Sequence, residues 1–150
     1  MNRRHLIKSI VLTALGSGLV TPNASAAESG PGKTKALRVG ETLDYDDGLS
    51  IRFLSVKKDD RCPINAQCVT AGDAEILLRV KVGTSKARVV SLHTDAKPNR
   101  HIFAVKYPKG MMGIPKSYTV SIASLNPLPY AGRKTPQGDY RLRLRIAVAV

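Results

Sequence analysis

The sequence predicts an all-β fold, either an antiparallel sandwich or a small barrel of about seven strands. Apolar and polar residues alternate in several short runs, as they do in strands that bury one face. Turn-forming residues separate these runs at intervals of roughly 8–12 residues, which is typical of antiparallel sheets. No run after the N-terminal segment shows the periodicity of a helix.

The alternation assigns the strands in order along the chain. Leu49, Ile51 and Phe53 fall on one face of an early run, and arginines alternate with apolar residues in the last run. Residues 126–139 are rich in Pro and Gly and predict a long connection that either crosses between sheets or covers an open end. The predicted strands are residues 37–43, 49–56, 74–82, 86–94, 101–107, 117–125 and 140–148.

Residues 1–26 are typical of a cleaved signal peptide. They begin with a basic segment that includes Arg3 and Arg4, continue with the apolar residues 10–20, and end in the small residues 24–26. The apolar stretch is interrupted by glycines and is too short to span a bilayer stably, although a retained anchor is the alternative. The paired arginines resemble a twin-arginine export signal, and an ordinary secretory signal is the other route.

The remaining chain divides into a disordered leader, residues 27–36, and a single β domain, residues 37–150. We therefore expect a periplasmic or secreted protein without a transmembrane segment after cleavage. Removing the three basic residues of the signal from the formal net charge of +13 leaves a mature charge of +10.

Cys62 and Cys68 are the only cysteines and lie in a short loop between two predicted strands. Because thiols oxidise outside the cytoplasm, we expect a structural disulfide. Closing so small a loop contributes roughly 2–2.5 kcal/mol in the chain-entropy model. The alternative, a redox or metal pair, lacks the C-x-x-C spacing and a second cysteine pair. We also expect Asp59 or Asp60 to cap the loop or to pair with Arg61.

The segment of residues 59–72, with its R-C-P-x4-C-x2-A-G pattern, resembles the signature of a family of small secreted bacterial β proteins. The likeness covers most of residues 37–146 and includes the Pro-rich connection with the last strand. It implies an all-β secreted fold and no particular activity. Thr70 departs from the pattern, because family members commonly have Trp there.

Basic residues form the best candidate binding surface. Two predicted strands each carry their basic residues on one side. If those strands are neighbours or share a sheet, the basic residues form one field of positive charge. Such a field suits an anionic envelope component or an acidic protein partner, whereas a solvated face that only keeps the chain soluble is the alternative. The predicted anion-binding residues are Arg79, Lys81, Arg141, Arg143 and Arg145.

Other partners and activities fit the sequence less well. Few aromatic residues interleave with the charges, which disfavours base stacking with nucleic acid. The positive charge disfavours inhibition of lysozymes, which are themselves basic. No G-x-S-x-G motif is present, so we expect a non-enzymatic protein without a cofactor.

Imidazole and thioether side chains suggest a second functional hypothesis. Both suit Cu(I), and the periplasm is where copper carriers work. Paired methionines also commonly fill gaps in a core, which is the structural alternative. The predicted metal ligands of this alternative are His93, His101, Met111 and Met112.

Overall fold

The computed structural model describes residues 32–45, 48–106, 110 and 113–150. The predicted signal peptide lies outside these residues. The described part of the chain contains no helix with the length and apolarity that a membrane crossing requires. Its only helical element is a short 3-10 turn, Gln137–Asp139, and the all-β prediction is confirmed.

Two antiparallel sheets form a sandwich, so the first of the two predicted architectures is confirmed. Sheet I consists of β1 (Gly32–Lys33), β2 (Leu37–Arg38), β7 (Arg100–Ala104), β8 (Ser117–Asn126) and β9 (Arg141–Ala149). In this sheet, β9 pairs with β8 on one side and with both β1 and β2 on the other, and β7 forms the far edge.

Sheet II is a four-stranded meander in chain order. Bulges in β4 shift its register against β5 between Phe53 and Ser55 and again between Val56 and Lys58. A bulge adds an unpaired residue, so Val56 faces the core although simple alternation from Phe53 would turn it outward. The strands are β3 (Thr42–Tyr45), β4 (Leu49–Asp59), β5 (Ala74–Val82) and β6 (Arg88–His93).

The core lies between the two sheets and consists of the alternate residues that the sequence predicts. Tyr118 is fully buried, and Tyr45 packs edge-on against it at a centroid distance of 6.3 Å. Each fully buried Leu or Ile contributes roughly 1.5–3 kcal/mol. The central core side chains are Leu49, Ile51, Phe53, Ile76, Leu78, Val80, Val120, Leu142, Leu144 and Ile146.

The predicted first strand, residues 37–43, is corrected. It divides at Gly40, whose φ of +88° turns the chain, so that β2 joins sheet I and β3 joins sheet II. The predicted disordered leader is also corrected in its described part. Gly32–Lys33 pairs with β9, and the Thr34 hydroxyl accepts a hydrogen bond from the Leu144 amide at 3.1 Å. These changes raise the strand number to nine within the described residues.

The disulfide between Cys62 and Cys68 is confirmed and closes a small ring within the loop between β4 and β5. The Cys62 amide donates to the Ala71 carbonyl at 2.7 Å, which brings the loop back on itself. At Gly72, φ is +70°, and a Cβ there would lie 2.0 Å from the Asp60 carbonyl oxygen. Only glycine therefore fits the point where the chain leaves the loop.

Asp59 and Arg61 form a buried ion pair at the start of this loop, which confirms one of the predicted pairings. The Arg61 guanidinium contacts both carboxylate oxygens at 2.8 Å. It also donates to the Leu125 carbonyl and, at 2.8 Å, to the Pro127 carbonyl, where β8 ends. Tyr140 donates its hydroxyl to Asp59 at 3.0 Å from the start of β9. One cluster thus links the two sheets.

The electrostatics of this cluster favour the ionised carboxylate. Burial alone would raise the pKa of Asp59, but the hydrogen bonds and charge of Arg61, together with the Tyr140 hydroxyl, hold it below its usual value. Burial and the neighbouring Asp59 charge raise the pKa of Tyr140. The cluster is therefore ionised as carboxylate and guanidinium at neutral pH.

The predicted long connection, residues 126–139, covers one end of the sandwich, since it joins the neighbouring strands β8 and β9 of sheet I. The Gln137 side chain fixes it to sheet II: its amide donates to the Val56 carbonyl at 2.8 Å, and its oxygen accepts from the Val56 amide at 2.9 Å. The connection and the disulfide loop thus cover the same end.

We predict that Gly72→Ala destabilises the fold far more than Gly132→Ala. Both glycines have positive φ, but a Cβ at Gly132 would meet no atom within 4 Å. Gly132→Ala, the control, should therefore lower the free energy of unfolding by about 1–2 kcal/mol through backbone conformation alone. Gly72→Ala should lower it by about 1–3 kcal/mol more, because its Cβ also clashes with the Asp60 carbonyl oxygen. Urea unfolding of both variants checks this difference, and equal costs would contradict the described loop geometry.

Candidate anion-binding site

Sheet I carries an unusual distribution of charge. Its five strands contain six Lys and Arg residues and no Asp or Glu. The four strands of sheet II, in contrast, contain three acidic residues. The charged residues in the strands of sheet I are therefore all positive. We call the surface formed by the following side chains the arginine face: Arg38, Arg100, Arg141, Arg143 and Arg145.

Alternation along β9 produces this surface. Leu142, Leu144 and Ile146 are buried in the core, so the intervening arginines point away from it. Polar partners lie directly opposite on β8, where Ser121 pairs with Arg145, and the same arrangement continues along the strand. The other two pairs are Ser124 with Arg143 and Asn126 with Arg141.

The arginine face is not neutralised by its surroundings. The ion pairs found within the described residues involve none of its five arginines. Arg141 donates to two nearby backbone carbonyls, of Gly138 and Tyr140, which orients its side chain along the end of β9. Arg143 and Arg145 are exposed to solvent. Guanidinium groups in this setting can bind carboxylate, sulfate or phosphate, since each presents a planar fork of donors.

A cleft of about 460 Å³ adjoins the arginine face at the edge where β6 and β7 meet. Arg100, Ser121 and Arg145 lie in one cross-strand row along its side, so two guanidiniums flank a hydroxyl. Lys97 and Asn99 contribute from the loop between β6 and β7. No carboxylate lines this cleft among the described residues, and its donors suit an anionic group.

Asp73 fixes the loop that carries Lys97 and Asn99. Its carboxylate accepts hydrogen bonds from the amides of Asp95 and Ala96 at 2.9 and 3.1 Å. The same carboxylate accepts from the Thr94 hydroxyl at 3.2 Å and lies 2.6 Å from His93 Nδ1. Burial alone would raise the pKa of Asp73, but the amide of Asp95, the imidazole of His93 and the amide of Ala96 together hold it well below its usual value.

The five predicted anion-binding residues do not form one surface, and this part of the prediction is corrected. Arg79 and Lys81 lie on β5, on the outer face of sheet II, where Arg79 is directly opposite Arg52. Because the two sheets of a sandwich turn their outer faces in opposite directions, these residues point away from β9. The prediction included neither Arg38, Arg100 and Lys97 nor the organising residue Asp73.

The predicted copper ligands are only partly described. His93 is hydrogen-bonded to Asp73, and His101 Nε2 lies 2.8 Å from the Ser91 carbonyl oxygen. Met111 and Met112 lie outside the described residues. Within the part of the chain that the structure describes, no group of three or more His, Cys, Asp or Glu could hold a metal. The copper hypothesis stays a prediction.

Comparison with known proteins returns no match among family models, curated proteins or solved structures. The resemblance carried by residues 59–72 therefore stays a prediction, although its disulfide is present. Thr70, the point of departure from that pattern, is exposed on the loop. The function is inferred from the residues of the site itself.

We predict that the stabilising effect of Asp73 depends on pH. Because its pKa is lower in the folded protein than in the unfolded chain, the carboxylate stabilises the fold above the usual Asp pKa of about 3.9. This contribution is lost as the pH falls through the lower folded value. Asp73→Asn should therefore lower the thermal midpoint clearly at pH 7 and progressively less below about pH 4.

Thermal unfolding of the wild type and the variant across this range checks the prediction. An equal loss at pH 7 and at the acidic limit would contradict it, since that loss would not come from the ionised carboxylate. Asp59 contributes acid sensitivity of the same sign to both proteins, because its pKa is also lowered, and it cancels in the comparison.

Proposed function

We propose that this protein is an exported, non-enzymatic binding domain that engages an anionic component of the cell envelope through the arginine face. The observation that carries the proposal is the charge of sheet I, in which six basic residues are accompanied by no acidic residue. The disulfide supports a location outside the cytoplasm, where thiols oxidise.

The spacing of the arginines favours an extended ligand with repeated negative charges. Arg141, Arg143 and Arg145 follow each other at every second residue of β9, which places them roughly 6.8 Å apart along the strand. Arg38 extends the row sideways through its pairing with Arg141. An acidic polysaccharide or a phosphate-containing polymer could contact several of these groups at once. The cleft beside Arg145 would hold one anionic group of such a polymer.

A basic face that only keeps the chain soluble would have the same composition. The test therefore has to separate the effect of where the positive charges lie from the effect of the net charge. Two triple variants allow this separation. Arg141→Ser/Arg143→Ser/Arg145→Ser removes three charges from the arginine face, and Arg52→Ser/Arg79→Ser/Lys81→Ser removes three from the outer face of sheet II. Both variants lose the same net charge.

We predict that the arginine-face variant elutes from immobilised heparin at clearly lower salt than the sheet II variant. A plot of log K against log salt concentration has a negative slope, and each lost contact with an anionic group reduces the magnitude of that slope by about one. The magnitude should therefore decrease by up to about three in the arginine-face variant and by less than one in the matched control. Equal elution of the two variants would mean that only net charge matters and would contradict the proposal.

A further inference from the structure

Four large apolar side chains protrude into solvent at the end of the sandwich that carries the disulfide loop. Val69 is fully exposed at 104% and Ile64 is 64% exposed, while Leu128 and Tyr130 are each nearly half exposed. We call these four residues the apolar tip. Single exposed apolar residues are common on surfaces, but several in one place indicate an interaction site.

The apolar tip comes from two loops that are bound to each other. The Ile64 amide donates to the Pro129 carbonyl at 3.0 Å, and the Ala131 amide donates to Asn65 Oδ1 at 2.7 Å. Leu128 and Tyr130 are the neighbours of Pro129 in the chain. Val69 follows Cys68 in the chain. The disulfide holds Cys68 beside Cys62, with 5.9 Å between the Cα atoms of the two cysteines. The two loops that carry the four side chains are therefore joined to each other at one end of the sandwich.

Two basic residues that lack an ion-pair partner among the described residues lie beside this tip. The Arg133 guanidinium lies 5.1 Å from the centre of the Tyr130 ring. Arg133 and Lys134 line a cleft of about 210 Å³ together with Pro129, Lys58 and Asp59. The charges of Lys58 and Asp59 are offset by their ion-pair partners, Asp60 and the buried Arg61. Arg133 and Lys134 therefore give this side of the tip a positive rim.

We infer that the apolar tip inserts into the headgroup region of an anionic lipid bilayer. Apolar and aromatic side chains with a rim of Lys and Arg match the bilayer interface, which is apolar below and negatively charged above. The apolar side chains are exposed on the loops. A fluid bilayer accepts such side chains without a complementary pocket, whereas a protein partner would need one.

This inference goes beyond the proposed function, because the tip lies on the loops and not on the arginine face. Both surfaces attract anions, so vesicle binding alone would not distinguish them. The chain contains no Trp, and one introduced Trp therefore reports on a single position. Val69→Trp places the reporter on the tip. Ile102→Trp is the control, because Ile102 is another exposed apolar residue, at 64%, but lies on the outer side of sheet I.

We predict that vesicles of equimolar phosphatidylglycerol and phosphatidylcholine shift the emission of Val69→Trp to the blue. Brominated acyl chains should quench this emission and leave that of Ile102→Trp unchanged. Vesicles of phosphatidylcholine alone should produce a smaller shift, since the basic rim then has no negative surface to contact. In sedimentation, Ile64→Ser/Val69→Ser/Leu128→Ser/Tyr130→Ser should bind the anionic vesicles at least tenfold more weakly than the wild type.

Three results would overturn the inference. Vesicle binding with unchanged Val69→Trp emission would place the tip in water. A blue shift that grows with protein concentration in the absence of lipid would show that the tip pairs with a second copy of the chain. Undiminished vesicle binding by the quadruple serine variant would exclude the tip as the contact. None of these results concerns heparin elution, so the proposed function is tested separately.

Discussion

The buried ion pair of Arg61 and Asp59 contacts two other parts of the chain. The Arg61 guanidinium donates to the carbonyls of Leu125 and Pro127 at the end of β8, and the Asp59 carboxylate, at the end of β4, accepts from Tyr140, the residue before β9. Burying two charges costs several kcal/mol per ion unless hydrogen bonds satisfy both groups, and here the contacts do so. The pair therefore joins both sheets and both loops at one end of the sandwich.

Two surfaces with different chemistry follow from this arrangement. The sheets themselves present the arginine face, whose position depends only on alternation along β9 and its neighbours. The loops held by Arg61 present the apolar tip, where a disulfide and hydrogen bonds between the loops hold the two loops together. The two proposed contacts, with a charged polymer and with a lipid interface, therefore use different parts of the fold.

The sequence predicted the strands well because burial alternates with a period of two, as in Leu142, Leu144 and Ile146. It did not predict which sheet each strand joins. Arg79 and Arg143 both face outward, as expected, yet on opposite sides of the sandwich, since alternation determines a face and not a pairing partner. Asp73 was missed for a related reason: its hydrogen-bond partners follow it by about twenty residues, and no local pattern predicts that contact.

Amide hydrogen exchange in Arg61→Lys measures whether Arg61 holds the loop end of the sandwich together. Lysine keeps the charge beside Asp59 but lacks the fork that reaches the Leu125 and Pro127 carbonyls as well. We expect the amides of Ile64 and Ala131 to lose protection in this variant while core amides such as that of Val80 keep theirs. Unchanged protection at Ile64 and Ala131 would contradict this role of Arg61.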